Sequence, residues 1–175
     1  MDKNNVAKIY TIGHSNNDLE SLAKLLKENN VKILLDVRSH PYSKFVPQFN
    51  RENMEREGKR LGFEYRFAGD YLGGKPTDKS CYDGDKVNYD KIASKDYYQK
   101  AIKRLIEISQ ETVTAILCSE ENPHACHRHK LIAQTLLDMG VEVLHIRHNG
   151  EVENAEWRGM FYPLRAGTCM VEKGR

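Results

Sequence analysis

Between Thr112 and Gly140 the chain carries its densest run of reactive side chains, written TVTAILCSE, then ENPHA, then CHRHKLIAQTLLDMG. Two thiols (Cys118, Cys126), a carboxylate (Glu120), two imidazoles (His124, His127) and a guanidinium (Arg128) stand there within eleven positions of one another. A thiolate is a nucleophile or a metal ligand, and imidazole and carboxylate exchange protons near neutral pH. A guanidinium pairs with carboxylates and phosphates. The β-branched opening reads as a buried strand. Asn122-Pro123 reads as an N-cap with proline at the first helical position, and Gly140 as the residue that closes that helix. A strand entering a tight loop and then a helix aims free N–H groups and the positive helix end at one spot.

The elements that must position this loop recur along the chain. Lys8–Ser15 (KIYTIGHS) reads as a first strand ending in Gly13-His14-Ser15, followed by a helix in which Leu19, Leu22, Leu25 and Leu26 keep helical spacing. Val31–Ser39 (VKILLDVRS) is a second continuous apolar strand and ends in Asp36, Arg38 and Ser39. Such strands, separated by helices, predict an α/β fold: a single three-layer domain with a mostly parallel central sheet and helices on both faces. Ligands of such sheets sit outside the strand carboxyl ends, so His14, Asp36 with Arg38, and Cys118 with Glu120 are expected at one crevice. A loop with two prolines (41–50), a charged helix (51–61) and a third strand over Phe63–Leu72 come next. Lys75–Asp96 is polar and long for a connection, which predicts a lid, a binding loop or a flexible flap. An amphipathic helix spans Tyr97–Gln110, and Val141–His148 is a further strand. Residues 1–150 are read as the domain, and 151–175, with the only tryptophan (Trp157), as a tail packed on it or at an oligomer contact.

Of the 175 residues, 39% are apolar and 30% charged, and the net charge is +2. This is the composition of a globular protein, and it does not argue for nucleic acid. With no apolar signal core or membrane-length run, a cytoplasmic protein with no membrane contact is expected. Four scattered cysteines, Cys81, Cys118, Cys126 and Cys169, suit free thiols, metal ligands or packing better than a disulfide framework.

Five stretches carry a resemblance to a known family. YTIGHS, LLDVRSHPYSKFVPQFN, YLGGKP with CYDGDKVNY, AILCSEENPHACHR and VLHI follow one another in the order found in domain-of-unknown-function family 488, which the first 150 residues closely resemble. The resemblance implies an α/β domain with a conserved polar site and no established reaction. Its residues His14, Arg38, Pro41, Gly73, Gly74, Cys118, Glu120, Cys126, His127 and Arg128 are all present. The strand–Cys–loop–Arg–helix order is also similar to the phosphate loop of cysteine phosphatases and rhodanese-like domains. The loop here is longer, and Glu120 and Glu121 oppose an anion.

On these readings the expected reaction centre is Cys118 or Cys126 as nucleophile or redox group, with His14 or Glu120 handling protons. Ser15, Asp36, Arg38, Ser43, Gly73, Gly74, His127 and Arg128 are the expected ligand-binding residues. The ligand is a small anion, phosphorylated or nucleotide-like. Each residue also has a plainer role: Cys118 as a core hydrophobe, Asp36–Arg38 as an internal ion pair fixing a loop, His14 as a hydrogen-bonding brace, and the glycines as a turn. At about 100° per residue a helix already regular at Cys126 turns His127 away from the core stripe and puts His129 inside it. His127 then joins the site only through an irregular first turn. The seven-residue gap between the thiols is outside the short zinc spacings, so no metal ligand set is assigned, and no cofactor. A nucleic-acid or nucleotide binding module and a Cys/His metal-binding protein are the alternatives to an enzyme.

Overall fold

The computed structural model describes residues 6–158. β1 (Lys8–Gly13) leads into α1 (Leu19–Glu28), β2 (Ile33–Asp36) into α2 (Arg51–Leu61), and β3 (Glu64–Phe67) into the short α3 (Gly69–Leu72). A small hairpin of β4 (Tyr82–Asp83) and β5 (Lys86–Val87), then α4 (Tyr89–Ala93) and the long α5 (Asp96–Glu111), return the chain to β6 (Thr114–Cys118). α6 (Gln134–Asp138), β7 (Glu142–Ile146) and β8 (Val152–Asn154) complete the described part. None of its helices is long and apolar enough to cross a membrane.

Six strands form one sheet in the order β3-β2-β6-β1-β7-β8, parallel except for the β7–β8 edge pair. Alternation along each strand divides the core into two layers. Ile12, Leu34 and Leu117 pack against Leu22 and Leu26 of α1 and Met54 of α2. Ile9, Leu35 and Ile116 pack on the opposite face, against Ile102 and Leu105 of α5 and Ile132 and Leu136 of the last helix. This is the expected three-layer α/β domain. Asp18 caps α1 by accepting the Ser21 N–H, and the Leu residues of α1 point inward as their spacing required.

The topology explains where a site can form. β1 and β2 send their chains to helices on one face of the sheet, whereas β6, lying between them, sends its chain to the other. The connections after β6 therefore diverge from those of both neighbours, and a crevice opens at its carboxyl end.

Four elements differ from the sequence expectation. The third strand stops at Phe67, where Gly69 begins α3 tightly against the Arg38 carbonyl. Lys75–Asp96 is no bare flap: its hairpin and α4 bury Cys81, Ile92 and Ala93 in the core. The helix expected from Pro123 is broken in two, as described below. The sheet also runs past residue 150, because Asn149-Gly150 turns the chain back along β7, with Gly150 at φ +88°. Asn-Gly between strand-like runs is a strong hairpin signal, and β8 was legible from it. Ala155 and Arg158 then bond to β7 and to Gln134, while the rest of the tail lies outside the described residues.

One contact sets the spacing of the crevice. A Cβ on Gly13 would lie 1.6 Å from the Glu120 carbonyl oxygen, so the end of β1 must lack a side chain for the loop after β6 to fold over it. Gly13→Ala is expected to cost at least about 3 kcal/mol, the upper range for overpacking. Gly62→Ala, at an open left-handed position (φ +94°), should cost only about 1 kcal/mol. Chemical denaturation of both variants checks the contrast, and equal losses would contradict it.

Candidate functional site

The chain leaves β6 at Cys118 and does not enter a helix directly. Asn122 accepts the His124 N–H and starts one short 3₁₀ turn, Pro123–Ala125. Cys126 is then extended (φ −121°, ψ 152°), and a π-helical turn, Arg128–Ala133, begins after His127 before running into α6. Both irregularities matter. The extended residue turns the Cys126 side chain back toward the strand end, and the late helix start brings His127 in with it. Gly140, at φ +80°, follows the last turn as expected.

Three buried side chains meet there. The sulfurs of Cys118 and Cys126 are 2.7 Å apart, and His127 Nδ1 lies 3.6 Å from the first and 3.8 Å from the second. His127 Nε2 is 3.0 Å from the Val37 carbonyl at the end of β2. A carbonyl only accepts, so Nε2 carries the proton and the Nδ1 lone pair faces the sulfurs. The Gly74 backbone backs the ring: a Cβ there would sit 2.7 Å from His127 Cγ. Within the described residues this trio is the set whose donor atoms, all within 4.8 Å of one another, suit a metal ion.

The two thiols are not equivalent. Hydrogen bonding from Cys118, with the Arg128 N–H at 3.5 Å, pulls the Cys126 thiol well below the usual range. The shared proton and burial push Cys118 up. The pair therefore holds its first negative charge on Cys126.

A cavity of about 380 Å³ opens over the trio, and Cys118, Cys126, His127, Ser39, Lys75 and Tyr89 line it with Arg38, His40, Gly74, Ser119, Glu120 and Ala125. Lys75 and Tyr89 come from the 75–96 segment. Glu120 is at the exposed rim.

The remaining expected site residues divide between this cavity and the other face of the sheet. Asp36 is fully buried and accepts from the Arg38 N–H, Nε and Nη2 and from the Tyr65 hydroxyl. Arg38 Nη2 also reaches the Phe49 carbonyl, and Nη1 lies 3.0 Å from His14 Nε2. His14 stacks on Phe49 and donates from Nδ1 to the Ser15 carbonyl. Both nitrogens of His14 are thus engaged, and burial, then Arg38, lower it to about 4. This cluster ties the 38–50 loop to β1. Ser15 takes a left-handed φ of 47° and continues the pairing of β1 by donating to Ser119 O. Ser43 is bonded within its own loop, to Asn50 and Phe45. Gly73 packs on Ser39.

Arg128 is wholly buried. Its Nη atoms donate to Thr11 Oγ1 and to the carbonyls of Glu120 and Glu121, so it shapes the loop from inside and does not line the cavity. Sequence reasoning did not find its supporting partners. Arg147 grips the Glu121 carboxylate with two hydrogen bonds of 2.9 Å, which lowers Glu121 to about 2. Thr11 is 2.6 Å from His145 Nδ1, and His145 Nε2 is 3.0 Å from His129 Nδ1. His129 lies in the core, as its helical phase required. The alternation of β1 and β7 would have placed Thr11 and His145 inside; nothing in the sequence announced that they touch.

Removing one member of the Asp36–Arg38 pair leaves the other charge buried. Asp36→Ala is expected to cost about 3–5 kcal/mol in denaturant unfolding, and a loss under 1 kcal/mol would show the pair to be dispensable. A second expectation concerns pH. Burial, then Arg128, lowers His145 to about 3. Above pH 6.5 neither His14 nor His145 is charged in either state. Below it the unfolded chain takes up protons that the folded chain refuses until about 4 and about 3. Stability should therefore be complete above pH 6.5 and fall as the pH drops, by up to about 1.4 kcal/mol per unit for each histidine. Urea midpoints at pH 7.5, 6.0 and 5.0 test this, and a midpoint that rises toward pH 5.0 contradicts it.

No curated protein and no solved structure matches the chain. Residues 18–136, more than half of its length, match the family described as Domain of unknown function DUF488, and they include Cys118, Cys126 and His127. The chain belongs to that family.

Proposed function

We propose that Cys118, Cys126 and His127 hold a thiophilic divalent ion, zinc by preference, and that the protein is an enzyme acting on a small polar substrate in the cavity above it. The observation that carries this reading is the direction of the imidazole. Its Nε2–H is tied to the Val37 carbonyl and its Nδ1 lone pair faces both sulfurs. Metal-binding histidines are oriented by a hydrogen bond of this kind. Two thiolates and one imidazole leave a fourth tetrahedral position, and here it would face the cavity, the arrangement of catalytic zinc sites. Bonds of about 2.3 Å at the tetrahedral angle separate two sulfurs by roughly 3.8 Å. The ion would therefore spread the sulfurs from their present 2.7 Å. Such an ion polarises a carbonyl or phosphoryl oxygen, or activates water. Lys75 and His40 at the mouth suit an anionic group on the substrate, and Glu120 at the rim is placed to carry a proton.

A second reading uses Cys126 itself as the nucleophile. The Arg128 N–H and Cys118 favour its thiolate, and the cavity gives access.

Metal analysis separates the two. Full-length protein purified without an affinity metal should carry about one zinc per chain or take up one. Cobalt substitution should give thiolate-to-metal absorption in the near ultraviolet. Cys118→Ser, Cys126→Ser and His127→Gln should each weaken binding by more than the roughly 10–100-fold that loss of an outer-shell partner costs. Cys81→Ser should leave it unchanged. Protein that remains metal-free and shows no cobalt absorption would overturn the metal reading and leave the thiolate one.

A further inference from the structure

The 2.7 Å between Cys118 Sγ and Cys126 Sγ is shorter than two unbonded sulfurs hold, and less than an ångström longer than the roughly 2.05 Å of a disulfide. The chain between them is already ordered. Arg128 holds the carbonyls of Glu120 and Glu121, Arg147 holds the Glu121 carboxylate, and Asn122 caps the turn at Pro123. Bringing the sulfurs together therefore costs little further loop entropy. Both line the cavity, so a molecule that enters it meets them directly. The third described cysteine, Cys81, sits in the core with its sulfur 3.6 Å from the Tyr97 hydroxyl.

We infer that Cys118 and Cys126 form a redox-active dithiol that a hydroperoxide closes to an intramolecular disulfide. One sulfur attacks an oxygen of the hydroperoxide, the O–O bond breaks, and the departing alkoxide or hydroxide takes the thiol proton. The sulfenic acid so formed is attacked by the second sulfur. The S–O bond breaks, and hydroxide leaves with the second thiol proton as water. Two thiols and one hydroperoxide thus give one disulfide, one alcohol (or water) and one water. The couple needs no metal. Where the site holds one, as the metal reading requires, oxidation withdraws two of its three donors and releases the ion.

Digestion with trypsin tests this without any variant, because both cysteines fall in the single peptide Leu105–Arg128. Full-length protein is stripped with a chelator, treated with an equivalent of hydrogen peroxide, blocked with iodoacetamide and digested. The expected peptide is lighter by two hydrogens and carries no alkyl group, and dithiothreitol restores two alkylation sites. Cys118→Ser and Cys126→Ser should each abolish the mass loss. A peptide that keeps both alkyl groups, or carries sulfinic acid in place of the link, overturns the inference. Running the metal-loaded protein in parallel separates this from the metal reading. A linked peptide in protein that never binds zinc upholds the dithiol and removes the metal, and bound zinc with an unlinked peptide does the reverse.

Discussion

The hydrogen bond from His127 Nε2 to the Val37 carbonyl decides what the crevice contains. It spans from the helix after β6 to the end of β2 and crosses the gap that the sheet order opens. It also fixes which nitrogen is protonated, and so turns a lone pair, not an N–H, toward the sulfurs. The backbone of Gly74 closes the other side of the ring, leaving no room for a side chain between them. The residue that leads into the 75–96 segment thus helps to hold the imidazole in place. A larger residue at Gly74 would push the ring off its carbonyl without touching either thiol.

Two buried arginines stand at these strand ends in electrically different surroundings. Arg38 meets the Asp36 carboxylate in a paired, nearly neutral unit, and its work is to hold a loop. Arg128 is met by a hydroxyl and two carbonyls, which solvate its charge but do not cancel it. A buried uncompensated cation is costly unless an anion is near. The groups that offset it most are Cys126 and then Cys118. Negative charge on Cys126 and positive charge on Arg128 therefore stabilise each other. The Asp36 carboxylate already meets that need on the other face of the sheet.

Much of this could be read from the residue pattern. The continuous apolar runs at Val31–Ser39 and Thr112–Cys118 and the leucine spacing of α1 announced a parallel sheet with helices on both faces. Of the strand-end residues expected at one crevice, Arg38, Cys118 and Glu120 line the cavity and His14 and Asp36 do not. The break at Cys126 could not be read, because Asn122-Pro123 is a sound helix start and nothing local says that the turn it opens ends after three residues. A regular helix from Pro123 would have sent His127 outward; the extended Cys126 and the π-helical turn changed its phase. Arg128 looked like an anion holder for the same reason. Its position in the first turn was right, but its direction depended on carbonyls that only the folded loop presents. Strand alternation did contain the division of Asp36 from Cys118. Asp36 aligns with Leu117 across β2 and β6, so it must lie on the face opposite to Cys118.

The same geometry limits how the two sulfurs can move. Cys118 is the last residue of a strand bonded on both sides: its carbonyl accepts the His14 N–H, and Val37 donates to its neighbour Leu117. His127 is pinned at its far nitrogen. Cys126 sits between two helical turns in an extended conformation, its N–H bonded to the Pro123 carbonyl and its own carbonyl accepting from His129 and Lys130, so its backbone is held as well. Room for an ion, or a bond to Cys118, would therefore have to come from rotation about the cysteine side-chain torsions and not from the backbone.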